Sequence, residues 1–262
     1  MNHSLTASSP VSKRLSPRKM AFITGTLLLT STGFICRILG FFYRIFMSRT
    51  IGAEGLGIYN MVHPIFSICF AVCAGSIQTA LSQYVAANQT RGRAVFRTGL
   101  VIAMGMSFLL AWVIYGNAGF LAEKLLLEPR CAPYLPVMAV SVPFAALHAC
   151  INGYYYGMQK ARVPAFSQVA EQVIRMGAVF LIASIWLESG RQITVSLAVY
   201  GHLIGEMASA VFTVFCLGFF PPCKDGDSRR APAIPLSFGA TAAPLMALAL
   251  PLMGNRLILN VL

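Results

Sequence analysis

The chain has 262 residues, of which 57% are hydrophobic and only 11% are charged, and its mean hydropathy is +0.70. A soluble domain has about a quarter charged residues, so this composition excludes a water-soluble globular enzyme. Since a membrane-spanning helix needs about 20 apolar residues, the chain has room for about six to eight spans. An outer-membrane barrel is also excluded, because its strands alternate apolar and polar residues over segments of about ten.

The predicted elements are membrane-spanning helices separated by short polar breaks. A basic tail, residues 1–20, precedes a first apolar run at 21–46. That run is longer than the roughly 7–15-residue core of a secretory signal, so it is expected to remain as a helix. Breaks rich in glycine, proline or charge, such as 52–55, follow. We therefore predict an all-α, polytopic membrane helical bundle with spans at 21–46, 57–87, 98–120, 133–157, 165–187, 193–220 and 233–255.

The net charge of +12 is explained by the distribution of lysine and arginine between the breaks. The tail and every second break after it contain twelve of these residues, whereas the intervening breaks contain four. Cytoplasmic loops of membrane proteins carry the excess of basic residues, so the N-terminus is predicted to be cytoplasmic. Nucleic acid is accordingly not an expected partner.

Two arginines lie inside the first predicted span. Arg37 and Arg44 are seven residues apart, and seven helical steps of about 100° place them within about 20° of one face. A guanidinium holds phosphate or carboxylate through two parallel hydrogen bonds, so this face predicts an anion-binding line in a cavity. The alternative is that they pair with Glu171 and Glu206 and only join helices. Arg49 lies off this face and is expected to extend towards the headgroups.

Three further spans carry polar residues at helical spacing. Hydrogen bonds between helices explain serine, threonine and single glutamines, but they explain ionisable groups on three helices less well. We therefore predict a hydrated central cavity. Its candidate lining and coupling residues are Asn60, His63, Gln168, Glu171, Gln172, Arg175, His202 and Glu206.

Simpler roles apply to some of these residues. His63 and His202 are expected to be hydrogen-bonded packing residues first. Glu171 and Arg175 are spaced i, i+4, so they are expected to form an ion pair first and an ion-coupling site second.

Catalytic motifs are not found in the sequence. It contains no GxSxG, no HExxH and no glycine loop for phosphate, and its seven cysteines form no CxxC pair. The cysteines are expected to be small buried hydrophobic residues. We therefore predict no enzymatic activity, no cofactor and no metal site.

Two blocks of sequence carry a resemblance to a known family. The first is CRILGFFYR at 36–44 with SRTIGAEGLGIY at 48–59, and the second is GYYYGMQ at 153–159 with SQVAEQVIR at 167–175. They resemble the stage V sporulation protein B-like polysaccharide transporters. That family is related to the lipid II flippases of the multidrug/oligosaccharidyl-lipid/polysaccharide exporter superfamily.

The resemblance implies two lobes of six helices around a cationic cavity, which moves a lipid-linked sugar precursor between leaflets by alternating access. It also implies that arginines on the first helix hold the pyrophosphate. Arg37 and Arg49 match flippase motif positions, whereas Arg44 is displaced by one residue and suits the sporulation-type pattern. A further flippase arginine, on the second helix, falls near Cys69 or Phe70 and is not matched here.

Because the family is about twice this length, the expected organisation is one lobe and part of another. It comprises a cytoplasmic basic tail at 1–20, a six-helix lobe at 21–220, a cytoplasmic linker at 221–232 and the first helix of a truncated second lobe at 233–262.

The leading functional hypothesis is a flippase for undecaprenyl-pyrophosphate-linked peptidoglycan or polysaccharide precursors in the bacterial cytoplasmic membrane. Arg37, Arg44 and Arg49 would bind the diphosphate, and a proton or sodium ion would be the coupling ion. One alternative is a cation-coupled multidrug or small-molecule exporter of the same superfamily, although a cationic first helix argues against cationic substrates. Another is a truncated membrane protein that transports nothing.

Overall fold

A computed structural model describes residues 17–222 and 238–261, and these residues form helices and connecting turns without any strand. Residues 1–16 of the predicted tail and most of the predicted linker lie outside the described part. The prediction of an all-α membrane bundle is confirmed. The main helices are α1 (Pro17–Phe70), α2 (Ser76–Ala87), α3 (Gly92–Gly116), α4 (Leu135–Gly157), α5 (Arg162–Glu188), α6 (Ser196–Phe219) and α7 (Phe238–Val261).

The first two predicted spans form one long helical stretch with a break. Ile23–Ala87 is 65 residues long, about three times what one crossing requires. Gly52 interrupts it with φ 75° and ψ 172°, a backbone conformation that glycine adopts without steric penalty. The break predicted at 52–55 is therefore confirmed at its first residue. A π-helical turn, Ala71–Gly75, then joins α1 to α2.

The outer surface of the bundle is apolar, as a lipid environment requires. On α3 the side chains of Phe108, Leu109 and Trp112 are exposed, and Trp112 is 73% exposed. Within residues 17–222 and 238–261, six helices, counting Ile23–Ala87 once, are long and apolar enough to cross a membrane. The molecule is a multi-pass membrane protein.

The main core lies where α4 packs against α2 and α3. Gly153 and Gly157 of α4 permit close approach of the helices, since a Cβ atom at Gly153 would lie only 2.7 Å from the carbonyl oxygen of Gln78. Between the helices the hydroxyl of Tyr155 lies 2.9 Å from the carbonyl oxygen of Cys216 and 2.8 Å from that of Phe220. Tyr155 thereby supplies a donor to the carboxyl end of α6, where the Phe220 carbonyl lies beyond the last helical turn.

The last helix, α7, packs on α2 and α3 rather than standing apart. Leu245 and Ala249 are fully buried, and Leu245 lies close to Gly99 of α3. Arg256 donates a hydrogen bond to Thr79 over 3.1 Å, and its guanidinium lies over Gly75, where a Cβ atom would be 2.5 Å from it.

Ion pairs connect α1 to the loop before α4 at one end of the bundle. Arg130 pairs with Glu54, just after the break in α1, and with Glu128 over 2.9 Å. The hydrogen bonds from Arg130 hold the pKa of the half-buried Glu128 carboxyl below its usual range. The predicted break at 128–130 is thus an ordered loop, which contains a short 3-10 turn at Pro129–Cys131.

We expect Gly153→Ala to lower the thermal midpoint of the protein in detergent, because the added Cβ atom would collide with the backbone of α2. Overpacking of this kind costs about 1–3 kcal/mol. The control is Gly105→Ala on α3, where no atom lies within 4 Å of the added carbon. Equal midpoints for the two variants would contradict the close packing of α2 and α4.

Candidate functional site

The three arginines predicted to bind anions are exposed on α1. Arg37, Arg44 and Arg49 are all solvent-accessible in the bundle. Nearby, a Cβ atom on Gly40 would lie 3.7 Å from the side-chain nitrogen of Gln172, so α1 runs beside the polar face of α5. Among the described residues, neither Arg37 nor Arg44 forms an ion pair with Glu171 or Glu206, which have other partners. The structure therefore does not show the alternative considered from the sequence, in which Arg37 and Arg44 pair with Glu171 and Glu206 and only join helices.

A second polar region, the buried cluster, lies between α4, α5 and α6 and is defined by His148, Glu171, Arg175, His202 and Glu206. Glu206 is at its centre and is only 5% exposed. Its Oε2 lies 2.8 Å from Nε2 of His148, and its Oε1 lies 3.6 Å from Nη2 of Arg175 and 3.9 Å from Nε2 of His202. Three helices thus direct polar groups to one carboxylate.

Arg175 also contacts the second carboxylate of the cluster, that of Glu171. Arg175 and Glu171 form an ion pair one turn apart on α5, which confirms the prediction from their spacing. Their side chains are 17% and 20% exposed, so this end of the cluster is the more accessible one. Gly205 of α6 leaves space for the arginine, because a Cβ atom there would lie 2.7 Å from Nε of Arg175.

The formal charges of the buried cluster do not balance. Glu171 and Glu206 supply two negative charges and Arg175 one positive charge, so neutral imidazoles leave a net charge of −1. An uncompensated charge is costly away from water. One further positive charge, such as a proton on His148, balances the cluster, and the bond between His148 and Glu206 is the closest such contact.

Aromatic rings surround the remaining side of the cluster. The ring of His202 packs 5.6 Å from that of His63 and 4.4 Å from that of Phe66, measured between centroids. Ser67 lies 3.3 Å from Nδ1 of His63, so His63 fits the predicted role of a hydrogen-bonded packing residue. His202 packs in the same way, but neither ring nitrogen has a hydrogen-bond partner among the described residues. The Tyr43 hydroxyl is likewise buried without such a partner.

The remaining predicted residues lie outside the buried cluster. Asn60 and Gln168 are exposed, and Gln172 is half-buried. His148 is a member that the sequence analysis missed. It stands alone in an apolar helix, and only the packing of α4 on α6 brings it to Glu206.

The donor atoms of His148, Glu171 and Glu206 lie within 4.8 Å of one another. The sequence predicted no metal site, whereas this geometry is compatible with one.

The comparisons with known proteins agree with the resemblance found in the sequence. A family model described as polysaccharide biosynthesis protein matches residues 22–262. The chain belongs to this family. Stage V sporulation protein B of Bacillus subtilis (strain 168) is 30% identical over 248 residues, which cover 92% of this chain and 47% of that protein. Lipid II flippase MurJ of the same organism is 23% identical over 206 residues, which cover 72% of this chain and 38% of MurJ.

The chain therefore spans about half the length of the curated relatives that it matches. No solved structure gives a significant match. The matched region includes both the arginines of α1 and the buried cluster.

The charge imbalance of the buried cluster predicts which of two substitutions, Arg175→Gln or Glu206→Gln, lowers the stability of the protein more. Arg175→Gln would leave two buried carboxylates without their shared cation, and breaking a buried pair in this way costs about 3–5 kcal/mol. Glu206→Gln would leave Glu171 and Arg175 as a balanced pair and would weaken hydrogen bonds worth about 1–3 kcal/mol. We expect the thermal midpoint in detergent to fall more for Arg175→Gln than for Glu206→Gln.

The matched controls are Arg191→Gln and Glu123→Gln, which change exposed side chains of the same types. Both should leave the midpoint nearly unchanged. A larger loss for Glu206→Gln than for Arg175→Gln would refute the proposed charge balance.

Proposed function

We propose that this chain forms the N-terminal half of a flippase that moves undecaprenyl-pyrophosphate-linked peptidoglycan or polysaccharide precursors across the bacterial cytoplasmic membrane. The observation that supports it most is the exposure of Arg37 and Arg44 on one face of α1, without a carboxylate partner among the described residues. Arginines in a membrane helix are retained where they face a partner or a cavity. The names of the relatives support the same class of substrate.

The chemistry of the headgroup suits these arginines. A diphosphate presents several anionic oxygens, and a guanidinium binds two of them through parallel hydrogen bonds. Arg37 and Arg44 are two helical turns apart, and Arg49 lies further along the same helix. In this proposal they hold the diphosphate while the apolar chain remains in lipid.

In this proposal the polar face of α5 would line the hydrated central cavity that the sequence predicts. Asn60, Gln168 and Gln172, which are exposed or half-buried, would hold water along the path of the sugar. The exposed positive charge on α1 also disfavours the drug-exporter alternative, because it would repel a cationic drug.

The buried cluster would couple transport to an ion. Its net charge of −1 with neutral histidines makes its stability depend on one bound positive charge, a proton or a sodium ion. Glu171, Arg175 and Glu206 would exchange partners as that charge enters or leaves. Such an exchange offers a way to favour one of two conformations in an alternating-access cycle.

The whole transporter would require a second lobe, since the chain covers less than half of each relative named above. In this organisation residues 21–220 form the first lobe, 221–232 the cytoplasmic linker and 233–262 the first helix of the second lobe. The protein would move its substrate without chemical change and would have no enzymatic activity.

The central test replaces Arg37 and Arg44 with alanine in a full-length version that carries both lobes. We expect the double variant to fail to restore growth of a flippase-depleted bacterial strain, because the diphosphate would lose both guanidinium groups that bind it. Arg191→Ala, in a loop between α5 and α6, is the control and should restore growth as the unmodified protein does. Normal growth of the double variant at equal membrane abundance would reject the proposal.

The proposed orientation is tested separately with alkaline phosphatase, which is active only outside the cytoplasm. A fusion after Arg93 should be inactive, because this basic break is predicted to lie in the cytoplasm. A fusion after Arg130 should be active, because the next break is predicted to lie outside. The reverse pattern, at equal fusion abundance, would show that the N-terminus is external.

A further inference from the structure

The buried cluster contains the donor set of a metal site as well as an ion pair. His148, Glu171 and Glu206 offer one imidazole nitrogen and two carboxylate oxygens within 4.8 Å of one another. Ligand atoms of a tetrahedral zinc ion lie about 3.4 Å apart, given metal–ligand distances of about 2.0–2.1 Å. Small side-chain movements would therefore bring the three donors into coordination distance.

A second observation also points to a ligand at this position. His202 is only 2% exposed, and both of its ring nitrogens lack a hydrogen-bond partner among the described residues. Its Nε2 lies 3.9 Å from Oε1 of Glu206, on the side of the cluster where Arg175 approaches. Buried polar atoms are normally hydrogen-bonded, so an unpaired imidazole beside the Glu206 carboxylate requires an explanation. A metal ion would provide the missing partner if the His202 ring moved towards the three donors that already lie within 4.8 Å of one another, which would complete four donors.

We propose that the buried cluster binds one divalent transition-metal ion through His148, His202, Glu171 and Glu206, in competition with the guanidinium of Arg175. This inference does not rest on the proposed transport function. Two imidazoles with two carboxylates suit zinc or cobalt, whereas magnesium and calcium prefer oxygen ligands alone. The metal and the guanidinium compete because each is a cation that neutralises the same two carboxylates.

The charges of the cluster fit this exchange. Without Arg175 the two carboxylates carry −2, which one divalent ion neutralises while both histidines remain neutral, the form in which they bind metals. Arg175 approaches the cluster from its more accessible end. Its side chain is 17% exposed, and its Nε has no hydrogen-bond partner among the described residues. An ion could enter from the same accessible end, beside Glu171.

The test uses Co²⁺ and the purified chain in detergent with the Arg175→Gln substitution, which removes the competing cation. We expect the visible absorption bands of tetrahedral Co²⁺ and a thermal midpoint that rises with Co²⁺ concentration, because a ligand that binds only the folded state stabilises it. The affinity should exceed that of the unmodified chain at least about 10-fold, the effect of about 1.4 kcal/mol of relieved competition.

Ligand variants establish where the ion binds. In the Arg175→Gln background, His148→Gln, His202→Gln and Glu206→Gln should each weaken Co²⁺ binding at least about 10-fold, the effect of losing about 1.4 kcal/mol. Glu123→Gln, at an exposed position, should leave it unchanged. Failure of the Arg175→Gln chain to bind Co²⁺, or binding that survives Glu206→Gln, would overturn the proposal.

A second variant keeps the test decisive if Arg175→Gln does not fold. Gly205→Ala retains the arginine but places a Cβ atom 2.7 Å from its Nε, which forces the side chain out of its position. It should bind Co²⁺ more tightly than the unmodified chain does, and equal affinity would count against the proposal. The matched control is Gly218→Ala on the same helix, where no atom lies within 4 Å of the added carbon. These measurements need no transport, so they stand apart from the growth assay for Arg37 and Arg44.

Discussion

A buried carboxylate, Glu206, and a half-buried one, Glu171, share one arginine, and this shared ion pair sets the arrangement of the bundle. Arg175 must reach Glu171 on its own helix and Glu206 on the next, so the rotation of α5 against α6 is fixed by one guanidinium. Gly205 supplies the space for that side chain. His148 then adds a hydrogen bond from α4. Because unpaired charges are far more costly in a bilayer than in water, any other rotation of these helices would be penalised.

The contrast between Arg175 and the arginines of α1 separates structural from functional charge. Arg175 is largely buried and paired, so its charge is used within the fold. Arg37 and Arg44 are exposed and lack a carboxylate partner among the described residues, so their charge remains available to a ligand. All three arginines lie in membrane-spanning helices, where an arginine that faces neither a partner nor a cavity has a high free-energy cost. The proposed binding of a diphosphate depends on this exposed pair.

Sequence reasoning succeeded where the physical cause is local. The spans follow from hydropathy because a helix satisfies its own backbone in lipid, and the break at Gly52 follows from glycine's freedom at positive φ. The Glu171–Arg175 pair follows from i, i+4 spacing. His148 could not be predicted, since one histidine in an apolar helix gives no spacing signal and its partner lies 58 residues away. The lack of a hydrogen-bond partner for His202 likewise depends on tertiary packing.

The predicted linker at 221–232 divides the chain in sequence, but it does not divide the packing. Leu245 and Ala249 of α7 are buried against the preceding helices, and Arg256 reaches Thr79 across Gly75. If a second lobe moves relative to the first, α7 must either give up these contacts or move with the first lobe. Exposing the two buried side chains would leave the close-packed faces of α2 and α3 without a partner. In the proposed alternating-access cycle, this packing favours α7 remaining with the first lobe.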